Sequence, residues 1–277
     1  MTAQILDGKS TAAIIKSELQ KVVLAMSQKP GLGTILVGND PGSHSYVAGK
    51  HADCAEVGIK SIRIDLPESA TQSDVIGAIR DLNSAPECTG YIVQLPLPKS
   101  MITNLILESM DPKKDADGLH PLNLGKLVIG EKAPLPCTPK GIVELLRRYQ
   151  INLKGAEVVV MGRGLTVGRP LALMLSQKGI DSTVTVTHTA TKNFIELTKK
   201  ADVVIAAIGK PNFLKPEMVK DGAVLIDVGI TRTESGLLGD IDPTCKSISS
   251  YFAPMPGGVG PMTRAMLLQN VVEMAQQ

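Results

Sequence analysis

The chain has 277 residues, of which 43% are hydrophobic, and a formal net charge of +2 at pH 7. This length suits two domains or one large domain, and the hydrophobic content is ample for a packed core. Scattered Lys and Arg residues and an aromatic content of only 3% give no support for nucleic-acid binding.

The first half of the chain alternates predicted strands and helices. Strand patterns occur at 33–38, 59–66 and 90–95, and helical patterns at 43–57 and 72–82. The stretch 111–139 is punctuated by Pro and Gly and is predicted to connect two lobes.

The second half has its own series of strands, separated by helical patterns. Strands are predicted at 158–161, 183–187, 201–209 and 223–229, and helices at 167–175, 193–200 and 216–220. Strands and helices that alternate at this spacing favour a parallel, doubly wound sheet. A last helix is predicted over 263–275, with Thr263 as its N-cap.

A glycine-rich turn follows the strand at 158–161. Its glycines Gly162, Gly164 and Gly168 have the spacing GxGxxxG, one residue longer than the standard dinucleotide fingerprint. The spacing alone fits a ligand-free loop equally well. Because a strand precedes the turn and a helix follows it, backbone N–H groups are expected to face a pyrophosphate there.

The cofactor type is predicted from the residues around the second strand of this half. NAD sites usually place Asp or Glu at the end of that strand, whereas here the sequence is Thr187-His188-Thr189. The glycine turn also carries Arg163, a planar donor that suits phosphate. NADP is therefore predicted rather than NAD, although Arg163 and His188 are each equally compatible with a purely structural role.

Candidate catalytic residues lie in the first half. Tyr46 and Lys50 are four apart on a predicted helix and share one face. Gln94 ends a strand and either fixes a lysine or substrate, or caps the turn that follows. Asp117 lies in a turn with Asp115 and either grips a planar donor edge or is an ordinary surface carboxylate. From spacing alone, a solvated Lys50 beside a core tyrosine fits better than a catalytic pair.

Two further observations restrict the class of protein. The YxxxK spacing is shared with short-chain dehydrogenases, but their glycine loop precedes YxxxK, whereas here Tyr46 comes over a hundred residues before Gly162. That family is therefore rejected. The four cysteines form no CxxC pair, and no long apolar segment is present, so we expect a cytoplasmic protein without a structural metal or membrane contact.

A set of motifs spread over nearly the whole chain resembles the methylenetetrahydrofolate dehydrogenase/cyclohydrolases. They are VGNDPGS (37–43), YVAGK (46–50), QLPLP (94–98), DADG (115–118), PCTP (136–139), GRG (162–164), VGRP (167–170), IDVGI (226–230) and PGGVGPMT (256–263). Each motif is modest, but together and in this order they are highly specific.

The resemblance implies an NADP-dependent oxidation of 5,10-methylenetetrahydrofolate to 5,10-methenyltetrahydrofolate, followed by hydrolysis to 10-formyltetrahydrofolate. It implies that Lys50 is the acid–base residue, that Gln94 holds it, that Tyr46 stacks on the folate and that Asp117 grips the pterin. Other positions match the family's binding residues. They are Gly162, Arg163, Gly164, Thr189 and Ile230 for the cofactor, and Pro256, Gly257 and Gly258 for the substrate.

The expected architecture is α/β with two lobes: a folate-binding catalytic domain and a Rossmann-like NADP domain with a doubly wound parallel sheet. The first would comprise 1–120 and 261–277, because the C-terminal helix is expected to return to it, and the second 139–260, with 121–138 as the connection. The family resemblance also implies a homodimer that acts on tetrahydrofolate derivatives. Gly164 and Thr189 stand where the family often has serines near the 2′-phosphate, so Gly164 offers no hydroxyl to the phosphate.

Two other functions remain as alternatives. A different NADP oxidoreductase of similar two-lobed fold would give no absorbance change with methylenetetrahydrofolate. A dinucleotide sensor would bind NADP without turnover, and it would leave YVAGK, QLPLP and DADG unexplained.

Overall fold

A computed structural model describes residues 3–234 and 236–277. The strands, in chain order, are β1 (Gln4–Ile5), β2 (Gly31–Val37), β3 (Lys60–Leu66), β4 (Gly90–Val93), β5 (Glu157–Met161), β6 (Thr183–Thr187), β7 (Val203–Ala206), β8 (Val224–Asp227), β9 (Thr231–Thr233), β10 (Gly236–Leu238) and β11 (Tyr251–Ala253). The α-helices are α1 (Gly8–Ala25), α2 (Pro41–Val57), α3 (Gln72–Ser84), α4 (Thr103–Glu108), α5 (Pro121–Ile129), α6 (Cys137–Arg148), α7 (Gly168–Leu175), α8 (Phe194–Lys200) and α9 (Val259–Ala275). Short 3₁₀ helices span Pro216–Met218 and Pro243–Ser247.

The chain divides into two compact units, each assembled from two stretches of sequence. The first unit combines the chain up to Ala12 with Thr138–Thr263, and the second combines Ala13–Cys137 with Arg264–Gln277. The C-terminal helix thus returns to the unit built from the first half of the chain. Residues 3–12, predicted to lie with the first half, group with the other unit, because β1 pairs in parallel with β11.

The first unit contains a six-stranded sheet in the order β1-β11-β8-β7-β5-β6, and every neighbouring pair in it is parallel. Every residue of β7 and β8 is buried, as expected for parallel strands covered on both faces. This burial explains why these segments are continuous apolar runs in the sequence. The predicted α/β class with a parallel sheet is confirmed.

The second unit contains a three-stranded parallel sheet in the order β3-β2-β4. The central strand β2 is buried along its whole length. A short parallel bridge between Tyr91 and Asp115 continues the sheet beyond β4. This extension brings residues 114–116 alongside the strand that ends just before Gln94.

The stretch 121–138, predicted to connect the two lobes, has regular structure of its own. It contains α5, which His120 caps by accepting a hydrogen bond from the N–H of Leu122, with Pro121 in its first turn. Gly130 ends the helix in the left-handed conformation. The Pro and Gly residues that suggested a loop are therefore the start and stop signals of a helix.

Some predicted boundaries also shift. Thr263 is not an N-cap, because α9 begins at Val259 and the Thr263 hydroxyl donates to the carbonyl of that residue one turn earlier. The helix predicted at 216–220 is only a 3₁₀ turn, and the strand predicted at 90–95 ends at Val93.

None of the helices within residues 3–234 and 236–277 combines the length and apolarity needed to cross a membrane.

Candidate active site and cofactor cavity

Helix α2 places Lys50 on its buried face. The helix starts where the carboxylate of Asp40 accepts a hydrogen bond from the N–H of Ser43 at 2.7 Å, and it ends at Gly58. Its buried residues recur every three or four positions and include Lys50, which is only 5% exposed. A lysine on the buried face of a helix is unusual, since lysines are almost never fully buried unless paired.

Gln94 supplies a hydrogen-bond partner for this lysine. It follows β4, and its Oε1 accepts a hydrogen bond from Lys50 Nζ at 3.0 Å. Its Nε2 donates to the carbonyl of Leu95 at 2.6 Å. The two roles considered for this amide, holding a lysine and capping the turn, therefore occur together, and the turn fixes the oxygen that faces Lys50.

Asp117 is positioned by the extension of the sheet beside β4. Gly118, directly after it, has φ +68°, and a Cβ at that position would lie 2.4 Å from the carbonyl carbon of Leu135. Only glycine fits this close approach. The neighbouring Asp115 has a structural role, because its Oδ2 accepts from the His120 N–H and from Asn123 Nδ2. The two carboxylates of the turn thus have different roles.

The electrostatics of Lys50 set it apart from a surface lysine. Burial lowers the pKa of its ammonium, and the negative charge of Asp117 partly opposes this shift. Burial likewise raises the pKa of Asp117, and Lys50 opposes that change. The ammonium lies 4.7 Å from the ring centroid of Tyr46, a cation–π distance. A lysine in this setting is neutral more often than a solvated one and can exchange a proton.

Charged residues that the sequence analysis did not identify flank this group. Asp53, only 5% exposed, accepts from Lys16 Nζ and from Arg264 Nε, both at 2.9 Å. A Cβ on Gly49 would lie 2.1 Å from Arg264 Nη1, so this glycine makes room for the guanidinium. The positive charge of Arg264 also lowers the pKa of Lys50. The pairing could not be found from spacing, since the partners are far apart in sequence.

A cavity of about 540 Å³ lies in the first unit, at the carboxyl ends of its parallel strands. Its lining comes from the ends of β5, β6 and β7 and from the loops that follow them: Met161, Gly162, Arg163, Thr187, His188, Thr189, Thr191, Phe194, Ala207, Ile208, Lys210 and Phe213. Three of the predicted cofactor residues, Gly162, Arg163 and Thr189, therefore meet at one site. Gly164 and Ile230 are not part of the lining, and Ile230 is 57% exposed.

The geometry of the glycine turn fits a dinucleotide. Gly162 has φ +105°, and a Cβ there would lie 2.2 Å from the carbonyl oxygen of Ala207. A Cβ on Gly168 would lie 2.0 Å from the carbonyl oxygen of Gly162. Both positions require glycine, and α7 begins there without a side-chain cap. By contrast, a Cβ on Gly164 would meet nothing within 4 Å, so this position does not require glycine.

Other residues of the cavity were missed by the sequence analysis. Phe194 and Phe213 form an aromatic pair with ring centroids 5.8 Å apart, and Lys210 Nζ lies 5.7 Å from the Phe213 ring. Two of the chain's three Phe residues thus line one cavity. The rarity of Phe in the chain was a usable signal, but only the fold shows that the start of α8 and the loop carrying Phe213 line the same cavity.

The loop Pro256-Gly257-Gly258 belongs to the first unit. Gly257 has φ +102°, and its carbonyl accepts from the N–H of Lys9. A Cβ on Gly8 would lie 1.7 Å from the carbonyl oxygen of Gly258. Close backbone packing against the start of α1 therefore fixes this loop.

Among the described residues, no three His, Cys, Asp or Glu side chains are grouped so as to hold a metal ion.

Comparison with known proteins identifies a two-domain enzyme family. Residues 6–117 match the tetrahydrofolate dehydrogenase/cyclohydrolase catalytic domain, and residues 136–277 match the NAD(P)-binding domain of the same family. The chain belongs to the tetrahydrofolate dehydrogenase/cyclohydrolase family.

Solved structures of this family resemble the chain over its full length. The bifunctional enzyme FolD-methylenetetrahydrofolate dehydrogenase/cyclohydrolase from Campylobacter jejuni has 44% identity and a TM-score of 0.95, with 99% of each chain covered. A 5,10-methylenetetrahydrofolate dehydrogenase from the silkworm Bombyx mori has 37% identity and a TM-score of 0.94, covering 99% of this chain and 98% of that one. The Trypanosoma brucei dehydrogenase-cyclohydrolase, complexed with NADP cofactor and inhibitor, has 36% identity and a TM-score of 0.94, with coverages of 100% and 98%.

Proposed function

We propose that this protein oxidises 5,10-methylenetetrahydrofolate to 5,10-methenyltetrahydrofolate with NADP and then hydrolyses the product to 10-formyltetrahydrofolate. Family membership supports both activities. The observation that carries the proposal is the buried Lys50, hydrogen-bonded to Gln94 at 3.0 Å and facing Tyr46. Such a lysine is suited to proton transfer in a folate site.

NADP is held in the 540 Å³ cavity, with its pyrophosphate against the glycine turn at Gly162. Arg163 and Thr189 line this cavity and supply a guanidinium and a hydroxyl for the 2′-phosphate. When bound, NADP supplies a hydride acceptor. Phe194 and Phe213 offer apolar walls to a flat ring. Gly164 and Ile230 are proposed as cofactor residues on family resemblance alone.

The dehydrogenase step depends chiefly on orientation. The carbon between the two folate nitrogens loses hydride, and the adjacent nitrogen lone pair stabilises the resulting cation. The protein holds the reacting carbon in place. Tyr46 offers an aromatic face to the folate, and Asp117 offers two acceptor oxygens to the donor edge of the pterin. Pro256, Gly257 and Gly258 are proposed as substrate contacts on family resemblance alone.

The cyclohydrolase step depends on proton transfer. Water attacks the methenyl carbon and loses one proton, which leaves a hydroxyl on that carbon. The carbon–nitrogen bond then breaks as the ring nitrogen gains a proton and the hydroxyl loses its own, so that the formyl carbonyl forms and one proton is released overall. Lys50, when neutral, accepts the first proton at Nζ and can return a proton to the leaving nitrogen. Gln94 Oε1 fixes the direction of the ammonium, because its own amide is held by the turn at Leu95. Lys50 and Gln94 therefore act as one unit.

A single spectrophotometric assay tests the proposal. Purified protein with methylenetetrahydrofolate and NADP should produce reduced cofactor and methenyl product, followed by loss of the methenyl absorbance as hydrolysis proceeds. Omission of NADP should abolish the first signal and leave hydrolysis of added methenyltetrahydrofolate intact. Binding of NADP without any turnover would support a dinucleotide sensor instead.

Assembly and location complete the proposal. The four cysteines are free and buried, which supports a reducing compartment such as the cytoplasm. The proposed assembly is a homodimer, as the family resemblance implies. Light scattering of the purified protein tests it, and a mass of about 29.3 kDa, that of one chain, would contradict it.

A further inference from the structure

Two buried carboxylates lie behind the cofactor cavity, each against a glycine. Asp227 ends β8 and is 2% exposed, whereas Asp240 follows β10 and is fully buried. A Cβ on Gly239 would lie 1.8 Å from Asp227 Oδ2, and a Cβ on Gly229 would lie 2.0 Å from Asp240 Cγ. Each carboxylate occupies the space that a side chain at the opposite glycine would need. These four residues are called the carboxylate clasp below.

The carboxylate of Asp240 binds three consecutive backbone N–H groups. Its Oδ2 accepts from Ile208 at 2.6 Å and from Gly209 at 3.0 Å, and its Oδ1 accepts from Lys210 at 2.7 Å. The loop at 207–210 follows β7, and Ala207, Ile208 and Lys210 line the cofactor cavity. Asp240 therefore fixes the backbone of a cavity wall from behind.

Asp227 holds Asp240 in place. Its two oxygens accept from the N–H groups of Asp240 at 2.8 Å and Ile241 at 3.1 Å. The chain of contacts thus runs from the end of β8, through the segment that contains Asp240, to the loop after β7. Both oxygens of Asp240 are occupied as acceptors, so an amide in its place would turn a donor toward backbone donors.

We infer that Asp240 is a positioning residue for the cofactor, acting through the loop at 207–210 and supported by the rest of the carboxylate clasp. The inference rests on the proposed use of this cavity for NADP. Charge-assisted hydrogen bonds to a carboxylate are stronger than neutral ones, so their loss releases the loop that forms one wall. The cyclohydrolase step needs no NADP, and the two activities therefore separate a positioning role from a general structural one.

The test is a direct measurement of NADPH binding by fluorescence for wild type, Asp240→Asn and the matched control Asp242→Asn. The carboxylate of Asp242 instead caps a 3₁₀ helix by accepting from the Thr244 N–H, and it pairs with Lys215. Asp240→Asn should raise the Kd for NADPH at least about tenfold, the equivalent of one charged hydrogen bond. The KM for NADP should rise more than kcat falls, while hydrolysis of methenyltetrahydrofolate changes less than about twofold.

A second variant, Gly229→Ala, displaces the Asp240 carboxylate without removing it and should give the same pattern. A Kd within twofold of wild type in folded Asp240→Asn would overturn the inference. So would a parallel loss of both activities, or the failure of both variants to fold, since either would make the clasp a stability device. Because the binding assay needs no folate, an absence of folate turnover in the wild type would refute the proposed function but not this inference.

Discussion

Replacement of Lys50 by Met separates the two proposed chemistries. Methionine keeps much of the apolar bulk of the side chain but removes the nitrogen that contacts Gln94 Oε1 at 3.0 Å. Cyclohydrolase activity should fall to near background, because no other group in the proposed mechanism carries the proton. The dehydrogenase should lose less, so that methenyltetrahydrofolate accumulates.

The size of the effect follows from the burial of Lys50. At its ordinary pKa of 10.5, about one lysine in 3,000 is neutral at pH 7, and each unit by which burial lowers the pKa raises this share about tenfold. General acid–base catalysis typically contributes about 10²–10⁴-fold. We therefore expect the hydrolysis rate of Lys50→Met to fall by at least about 100-fold.

The assay follows the decay of methenyltetrahydrofolate absorbance without NADP and, separately, reduced cofactor formed from methylenetetrahydrofolate. Lys21→Met, on an exposed position of α1, is the matched control and should hydrolyse at the wild-type rate. Melting temperatures of both variants exclude unfolding as the cause. Wild-type hydrolysis by folded Lys50→Met would show that the lysine is not the proton carrier.

Three further predictions test other parts of the molecule. Arg163→Ala should lower kcat/KM with NADP by about 10–100-fold, because a charged hydrogen bond is lost, and should leave kcat/KM with NAD nearly unchanged. An equal loss with both cofactors would show that Arg163 does not recognise the 2′-phosphate. Burial raises the pKa of Asp227 from 3.8 to about 7. Between these two pH values the folded protein keeps a proton on Asp227 that the unfolded chain has lost. The stability that this proton contributes is therefore fully present below about pH 4 and is lost as the pH rises to about 7. The free energy of unfolding of wild type relative to Asp227→Asn, measured in urea, should therefore fall by up to about 4 kcal/mol over this range, and a difference independent of pH would contradict the shift. Asn270→Ala removes hydrogen bonds to the carbonyls of Ala116 and Leu135 and should lower the free energy of unfolding of the second unit by about 2–3 kcal/mol. The control Gln269→Ala loses only an exposed hydrogen bond and should change the free energy of unfolding by less than about 0.5 kcal/mol. Similar melting curves for the two variants would refute this reasoning.

Much of the parallel sheet was predictable because its strands are either short apolar runs or segments in which polar and apolar residues alternate. The strands predicted at 158–161 and 183–187 appear in the structure as Glu157–Met161 and Thr183–Thr187. Helices α1, α4 and α6 were not predicted from the sequence, and α5 lies in the stretch predicted as the connection. Glycine and proline mark both loops and helix ends, so their presence at 121 and 130 does not distinguish the two until the capping contacts are known.

The candidate site was predictable where the motif itself carries the chemistry. The four-residue spacing of Tyr46 and Lys50 by itself favoured a solvated lysine. The resemblance of the motifs to a known family implied a group of Tyr46, Lys50 and Gln94, and the structure brings these three residues together. Long-range partners were not predictable. Arg264 meets Asp53 only because the C-terminal helix returns to the second unit. Asp240 binds the loop at 207–210 across about 30 residues of sequence, a separation that no local pattern reveals.

The discontinuous make-up of both units has a consequence for biosynthesis. The second unit needs Arg264–Gln277, which leave the ribosome after all of Thr138–Thr263. At about 5–20 residues per second, this delay is on the order of ten seconds. During that interval the carbonyls of Ala116 and Leu135 lack the amide of Asn270 that binds them in the native state. The unit that contains Lys50 is therefore completed only after the other unit has been synthesised, and we expect its nascent form to need protection from aggregation until then.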